Sequence, residues 1–407
     1  MIESLKKIYE NLLKKTGTSF CRDTGLELNP DKFWPIALIW ERWVGKTYLL
    51  LQKLKEKKEK SFYFSADNPL IKWSSIFQIV SDLYFDYWIR YLVIDEIHKW
   101  ENWISNLKSI IDSFPDLKLI VSWSSSLDLY KGTADLQRRI YKLHLFPLSF
   151  YEFIKYEKNI DIPSFSFTEI IKRHKEISFD LSNIFNENDF KSYLDHGFYP
   201  YYKVKNEIYH NLLLNNLQKT LLEDLPTFMN LQTSSLSKLE KLFYFVAKNL
   251  PSELNYKSLA EKIWISKDLL ESIIMYLDQI WVLNIAIRTN KLTDIIRKEF
   301  KIFLWNPNMY YAYQSGDNIW TIRECFVLNV LKQINKSLLI NDNILLPEFG
   351  DLIYTYKWIQ YYFEIWWKNK TKKQLQNMKN SFVVVDDIIW SENRIPLWLF
   401  WLINPKK

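Results

Sequence analysis

The sequence predicts an α/β protein whose N-terminal part is built on a parallel sheet. Two observations predict it. Across residues 35–148, five short apolar runs alternate with helical stretches, the pattern of strands covered on both faces. Gly45-Lys46-Thr47 opens the helical stretch after the first run, an order in which a loop and a helix N-terminus can cradle phosphate.

Residues 1–34 read as an N-terminal helical segment, with Leu5, Ile8, Leu12 and Leu13 on one face and a loop ending at Pro30. "PIALIW" (35–40) is the first strand. "GKTYLLLQKLKEKKEK" is a helix closing in a solvated lysine-rich turn. "SFYFSA" (61–66), "YLVIDE" (91–96), "LKLIVS" (117–122) and "IYKLHLF" (140–146) complete a core spanning 35–148. Residues 149–235 form a helical region. In 236–292, three helical stretches precede the strand "WVLNIAIR", the winged-helix arrangement, with Ser266 as N-cap of the third helix. Residues 300–407 alternate aromatic and β-branched runs with helices, a separate α/β domain.

Composition sets limits. Of 407 residues, 48% are hydrophobic, which excludes wholesale disorder. Cys21 and Cys325 stand far apart, which excludes a disulfide framework or a metal knuckle and makes a reducing cytoplasm the expected location. No secretory leader is read, and no apolar run approaches the roughly 20 residues that span a bilayer. A net charge of +7 points weakly to an acidic partner such as nucleic acid.

The chemistry centres on residues 40–48. The phosphate-loop pattern G-x-x-x-x-G-K-[ST] fits Gly45, Lys46 and Thr47 and fails at Trp40, where its first glycine belongs. Trp40, Glu41, Arg42, Trp43, Val44, Gly45, Lys46, Thr47 and Tyr48 are therefore the expected ATP-binding segment. Lys46 would reach the β/γ-phosphates and Thr47 would place its hydroxyl on Mg²⁺. "YLVIDE" ends in two acids: Asp95 would hold Mg²⁺ and Glu96 would orient the attacking water. Ser124, after the next strand, is the expected γ-phosphate sensor. Arg138 and Arg139 could supply a transition-state cation, within the chain or to a neighbour in an oligomer; a pair of arginines on a helix also reads as a solvated face.

In the last domain, Asp351, Glu364 and Lys368 suggest the acid–acid–lysine set of metal-dependent nucleases. Their E-x-x-x-K spacing doubles the roughly 7 Å that E-x-K spans along a strand face. A bulge could repair it; a nuclease-like scaffold used for binding is the plainer reading. The winged helix could contact DNA, although its third helix carries little basic charge, or protein.

"VGKTYLLLQ", "YFSADNP", "YLVIDEIHKWENW", "VSWSSSLDL", "LFPLSFYEF", "YLDHGFYPYY", "RECF" and "FEIWWKNKTKKQ" together resemble a widespread group of prokaryotic AAA+-type P-loop ATPases. The resemblance covers nearly the whole chain, and the C-terminal region is similar to a restriction-endonuclease-like domain. It implies ATP binding at Lys46 and Thr47 and metal coordination involving Asp95. It implies no substrate. Three functions follow as expectations: ATP hydrolysis driving conformational change, a nucleotide-gated binding module without turnover, and an ATP-regulated nuclease.

One count departs from any ordinary protein. There are 7 glycines and 18 tryptophans, where average usage gives roughly 28 glycines. Trp40, Trp43, Trp73, Trp88, Trp123, Trp264, Trp281, Trp320, Trp358, Trp366, Trp367, Trp390 and Trp401 read better as glycine. Trp100, Trp103 and Trp398 read as true tryptophans, and Trp34 and Trp305 fit either. Drift would scatter replacements over many residue types. Replacement by one type throughout points instead to TGA codons that mean glycine being translated as tryptophan.

Overall fold

The computed structural model describes residues 1–17, 22, 28, 35–40, 43–57, 60–124, 136, 138–184, 186–229, 233–249, 254–288, 299–338, 340, 343–366, 378–386 and 393–404. They form two units, Met1–Pro147 and Leu148–Lys407, each described by itself.

In the first unit, helix α1 (Ile2–Lys15) turns Ile2, Leu5 and Tyr9 inward. Strand β1 (Ile36–Trp40) leads through the loop to α2 (Lys46–Lys55). Then follow β2 (Ser61–Ser65), α3 (Ile76–Phe85), β3 (Tyr91–Asp95), α4 (Trp103–Ser113), β4 (Lys118–Ser124) and β5 (Tyr141–Leu145). The sheet order is β2-β3-β4-β1-β5 and every pairing is parallel. All five apolar runs of 35–148 are strands of this sheet, an α/β arrangement that fits a P-loop NTPase fold. The reason is burial. Ile36 to Ile39 and Tyr91 to Ile94 are essentially inaccessible, and each such aliphatic side chain contributes about 1.5–3 kcal/mol when buried. In an open parallel sheet the ligand crevice lies beyond the carboxyl ends of the strands. Here β4 separates β1 from β3, so the loop after Trp40 and the acid pair at 95–96 flank the end of one strand.

The second unit begins with three capped helices. In α5 (Phe150–Lys158), α6 (Phe167–Leu181) and α7 (Glu187–His196), Ser149, Ser166 and Asn186 form capping boxes with Glu152, Glu169 and Asp189. Each box satisfies backbone donors at both the cap and the third helical position. Helix α8 (Asn206–Lys219) runs through a π-turn, Thr220–Asp224, into α9 (Leu225–Met229).

Helices α7 and α8 are joined by one carboxylate. Asp195 accepts from His196 Nδ1 at 3.1 Å and pairs with His210 Nε2 at 3.1 Å. Burial alone would raise Asp195, but the two imidazoles hold it down at about 2. Burial alone would lower His210, but hydrogen bonds to the Asp195 side chain and carbonyl raise it above 6.5. The depressed acid stabilises the fold above its ordinary 3.8 and loses that contribution as pH falls toward 2. The raised base stabilises below its ordinary 6.5 and loses that contribution as pH rises through its folded value. The cluster therefore contributes most between those two ordinary values. Thermal melts across pH should show His210→Gln flattening the alkaline decline; an unchanged pH profile would remove this account.

Helices α10 (Thr233–Lys248), α11 (Tyr256–Ile263) and α12 (Lys267–Gln279) precede the antiparallel pair β6 (Leu283–Ile287) and β7 (Phe300–Leu304). Leu254 bridges Phe300, adding a third segment to that pair. Helices α13 (Pro307–Ala312) and α14 (Ile319–Leu338) lead to β8 (Ile344–Leu345), β9 (Leu352–Tyr356), β10 (Ile359–Trp366), β11 (Ser381–Val385) and β12 (Arg394–Pro396). The second sheet runs β12-β11-β10-β9-β8-β6-β7. Strands on both sides of the interval 292–300 thus share one sheet. Ser266 precedes α12 with extended backbone but makes no side-chain cap bond.

Among the described residues, five tryptophans occupy left-handed backbone: Trp43, Trp88, Trp264, Trp281 and Trp358, with φ between 55° and 69°. Three of them follow a helix. After α11, Trp264 carries the turn in which Ile265 N–H bonds Ala260 O at 3.1 Å. After α12, Val282 N–H bonds Leu277 O at 2.9 Å around Trp281; after α3, Ile89 N–H bonds Leu83 O at 2.9 Å around Trp88. These are helix-closing turns that favour glycine at the left-handed position. Lys357 (φ 48°) and Trp358 (φ 68°) form the two-residue link between paired Tyr356 and Ile359, where a hairpin favours glycine second. Trp264 is 80% and Trp358 99% exposed. Their indoles gain little from packing, while a Cβ in this region costs about 1–2 kcal/mol.

The remaining candidates differ. Trp73, Trp123, Trp320 and Trp401 do not have positive φ. Trp123 is buried in β4 against Trp103, ring centroids 5.3 Å apart. Trp40 and Trp366 close β1 and β10. Trp34, Trp367 and Trp390 lie outside the described residues.

Candidate functional site

Gly45 sits in left-handed backbone (φ 82°) and starts α2, its carbonyl accepting Leu49 N–H at 3.1 Å. A side chain there would strain the turn that aims the helix N-terminus. Lys46, the first helical residue, is 6% exposed. Its ammonium lies 2.5 Å from Asp95 Oδ1 and 2.6 Å from Glu96 Oε1. Thr47 Oγ1 donates to Asp95 Oδ2 at 2.9 Å. The first turn of α2 and the end of β3 therefore meet, as the spacing of GKT and the acid pair predicts.

Asp95 is held by further donors. Tyr63 OH donates to Oδ2 at 2.9 Å. Ser122 Oγ donates to Oδ1, and Glu96 N–H reaches the same oxygen at 3.1 Å. Burial alone would raise this carboxyl, but the Lys46 charge and the bonds from Lys46, Ser122 and Tyr63 outweigh it and hold it below its ordinary value. Asp95 is thus an anion in a dry place, which a cation must compensate.

Glu96 has left-handed backbone (φ 53°), sparsely populated for a residue with a side chain. Ser122 Oγ accepts its N–H at 3.0 Å. His98 Nε2 lies 3.5 Å from Glu96 Oε2. Ser122 thereby links both acids through one hydroxyl. The expected sensor, Ser124, ends β4, its backbone paired with Trp40.

Behind the loop, the buried Arg22 donates to Val44 O at 2.8 Å, Phe146 O at 3.1 Å and Pro147 O at 3.1 Å. It ties the loop backbone to the chain after β5. Tyr48 is partly exposed, its hydroxyl donating to Gly17 O at 2.9 Å. Trp43 is 49% exposed. Glu41 and Arg42 lie outside the described residues. Arg139 pairs with Asp112 at 3.2 Å, and Arg138 is exposed. No contact in the described set brings either arginine to Lys46, Asp95 or Glu96. Tyr63, Ser122 and Arg22 were not singled out by sequence reading; only the hydroxyl pattern of 121–126 hinted at one of them.

Residues 35–154 match an AAA domain. The match contains Lys46, Thr47, Asp95, Glu96 and Ser122, and it supports a P-loop ATPase-like region and suggests nucleotide binding. Residues 187–318 match a domain of unknown function. An uncharacterized protein of Methanocaldococcus jannaschii is 29% identical over 293 residues, 67% of this chain and 60% of that protein. The chain thus spans about 60% of the length of this curated relative. No described helix is long and apolar enough to cross a membrane.

In the second unit, Asp351 Oδ2 accepts Ile365 N–H at 2.7 Å. Lys301 bonds Glu324 at 2.8 Å and lies 3.7 Å from Asp351. Glu324 is raised to about 7 by burial and by Asp351. Glu364 is buried in β10, and Lys368 lies outside the described residues. Among the described residues, no group of three or more His, Cys, Asp or Glu is arranged to hold a metal.

Proposed function

We propose that the chain binds MgATP at residues 40–48 and hydrolyses it to drive conformational change in a nucleic-acid- or protein-associated complex in the cytoplasm. The observation that carries this reading is the junction of Lys46 with Asp95 and Glu96, with Thr47 on Asp95. Thr47 and Asp95 offer the hard oxygen donors Mg²⁺ prefers, with phosphate and water completing its shell. When bound, the ion would neutralise phosphate charge. Lys46 would turn from the carboxylates to the β/γ-phosphates, freeing Glu96 to orient water. Ser122 keeps the two acids in register, and Ser124 remains the candidate contact to the γ-phosphate. Arg138 or Arg139 would act only after leaving their present positions, or from a neighbouring copy. The test is a pair of substitutions, Lys46→Ala against binding and Glu96→Gln against turnover. A parent that binds ATP and releases no phosphate would favour a nucleotide-gated module instead.

Helices α10–α12 with β6 and β7 support a winged-helix reading, a contact surface for DNA or protein. The strands from β8 onward serve as a nuclease-like scaffold for binding. The ammonium of Lys301 between Glu324 and Asp351 supports binding over metal-dependent cutting.

The functional chain carries glycine at many of its tryptophan positions. The left-handed backbone at residues 43, 88, 264, 281 and 358 supports this reading. Reading the coding DNA tests it. TGA is expected at those five codons and at Trp40, and TGG at Trp100, Trp103 and Trp398. TGG at Trp43, Trp264 and Trp358 would end the decoding explanation.

A further inference from the structure

We propose that Tyr63 is a positioning residue for Asp95: its hydroxyl fixes the carboxylate in the orientation that meets Mg²⁺, and helix α1 supports it through Tyr9. This rests on the nucleotide reading above and adds a part of the site that lies outside the loop and the acid pair.

The geometry is as follows. Asp95 Oδ2 receives two side-chain donors, Thr47 and Tyr63, each at 2.9 Å. Oδ1 receives Ser122 and Glu96 N–H and faces Lys46. With nucleotide and metal bound, Lys46 would turn to phosphate and Thr47 to the metal. Tyr63 then remains the side-chain donor on Oδ2, while Ser122 remains on Oδ1. Losing it would let the carboxylate rotate about its last bond. A carboxylate that must be re-oriented binds a metal demanding near-ideal octahedral geometry less well.

Tyr63 is placed for this and little else. It is 5% exposed in β2, the edge strand beside β3. In register it stands opposite Val93, so its long side chain reaches forward to Asp95. Burial first, then the Asp95 charge, pushes its phenol far above the ordinary range, so it stays a donor at every working pH. On its other side, the Tyr9 ring of α1 stacks at 6.4 Å and 29°. Tyr9 OH shares a hydrogen bond with Ser61 Oγ at 3.1 Å, fixing the helix on the same strand. Removal of one hydroxyl therefore disturbs metal geometry without opening a cavity.

The experiment uses the full chain carrying Trp40→Gly and Trp43→Gly, with and without Tyr63→Phe. Phenylalanine keeps the ring against Tyr9. Binding of a fluorescent ATP analogue is measured in EDTA, then under Mg²⁺ titration. Tyr63→Phe should raise the half-saturating Mg²⁺ concentration about tenfold, the size expected for one hydrogen bond to a charged group. Metal-free affinity should stay within about twofold. Tyr9→Ala, which keeps the Tyr63 hydroxyl and removes the ring that supports it, should shift the Mg²⁺ dependence in the same direction by less. An unchanged Mg²⁺ dependence in Tyr63→Phe overturns the proposal. So does an equal loss with and without metal, which would mark a merely structural role. A parent that binds nucleotide under neither condition overturns the site reading itself, and this proposal with it.

Discussion

Replacing Trp40 and Trp43 with glycine is expected to raise MgATP affinity by about a hundredfold or more. Phosphate in such a loop is held by backbone N–H groups that wrap it at close range. A loop that closes around an anion needs left-handed backbone and no Cβ between chain and phosphate. Trp43 already holds φ 69° and is half exposed, so its indole is carried by a conformation that it does not favour. At position 40 the chain leaves β1 directly beside Ser124 and Leu145, where the phosphate-loop pattern requires glycine. If the two indoles deny the phosphates two charge-assisted bonds, at about 1.5–3 kcal/mol each, the loss is two decades or more. Calorimetric titration of both full-length forms decides the point. Equal affinity in the tryptophan and glycine forms would refute this account of the loop.

In the glycine form, Lys46→Ala should reduce ATP affinity by about a thousandfold, whereas Glu96→Gln should bind ATP nearly as the parent does and lose most turnover. Lys46 is the cation that faces both carboxylates, and on the proposed reading the same ammonium would turn to the β/γ-phosphates. Its removal costs twice. Phosphate loses a charged partner, and Asp95 is left uncompensated in a buried place, where losing one partner costs about 3–5 kcal/mol. A fall in melting temperature is therefore expected for Lys46→Ala before any nucleotide is added. Glu96→Gln keeps shape and removes only the charge that polarises water, a contribution typically worth about 10²–10⁴ in rate. Binding and phosphate release, measured separately, check both. Full turnover in Glu96→Gln would take that residue out of the proposed chemistry.

Much of the first unit was legible because its physics is local. A strand covered on both faces needs a run of apolar residues, and five such runs became five parallel strands. The Lys46–Asp95 junction was legible because the loop and the acid pair belong to one recurrent arrangement. Tyr63, Ser122 and Arg22 were not. Each reaches its partner across the sheet or the chain, and periodicity says which face a side chain occupies but not what stands opposite. Ser122 shows the limit well: hydroxyls at the end of β4 drew attention, yet the contact to Asp95 comes from the one two residues earlier. Position 264 shows the reverse. A tryptophan between two helical stretches was suspect from sequence because that turn asks for positive φ, and φ there is 61°. Trp123 looked equally suspect, and it lies buried in extended strand without positive φ.

If the proposed reading holds, the ammonium that joins Asp95 and Glu96 would also govern the order of assembly. On the proposed reading, a bare divalent ion would meet the Lys46 ammonium where its own charge should go, which weakens the pull of the two carboxylates. Free nucleotide arriving without metal would draw the ammonium away and leave two neighbouring anions facing a third. Neither half-loaded state is electrically comfortable. On the proposed reading the site would favour the metal–nucleotide pair over either alone, and Lys46 would return to bridge Asp95 and Glu96 each time that ligand departs.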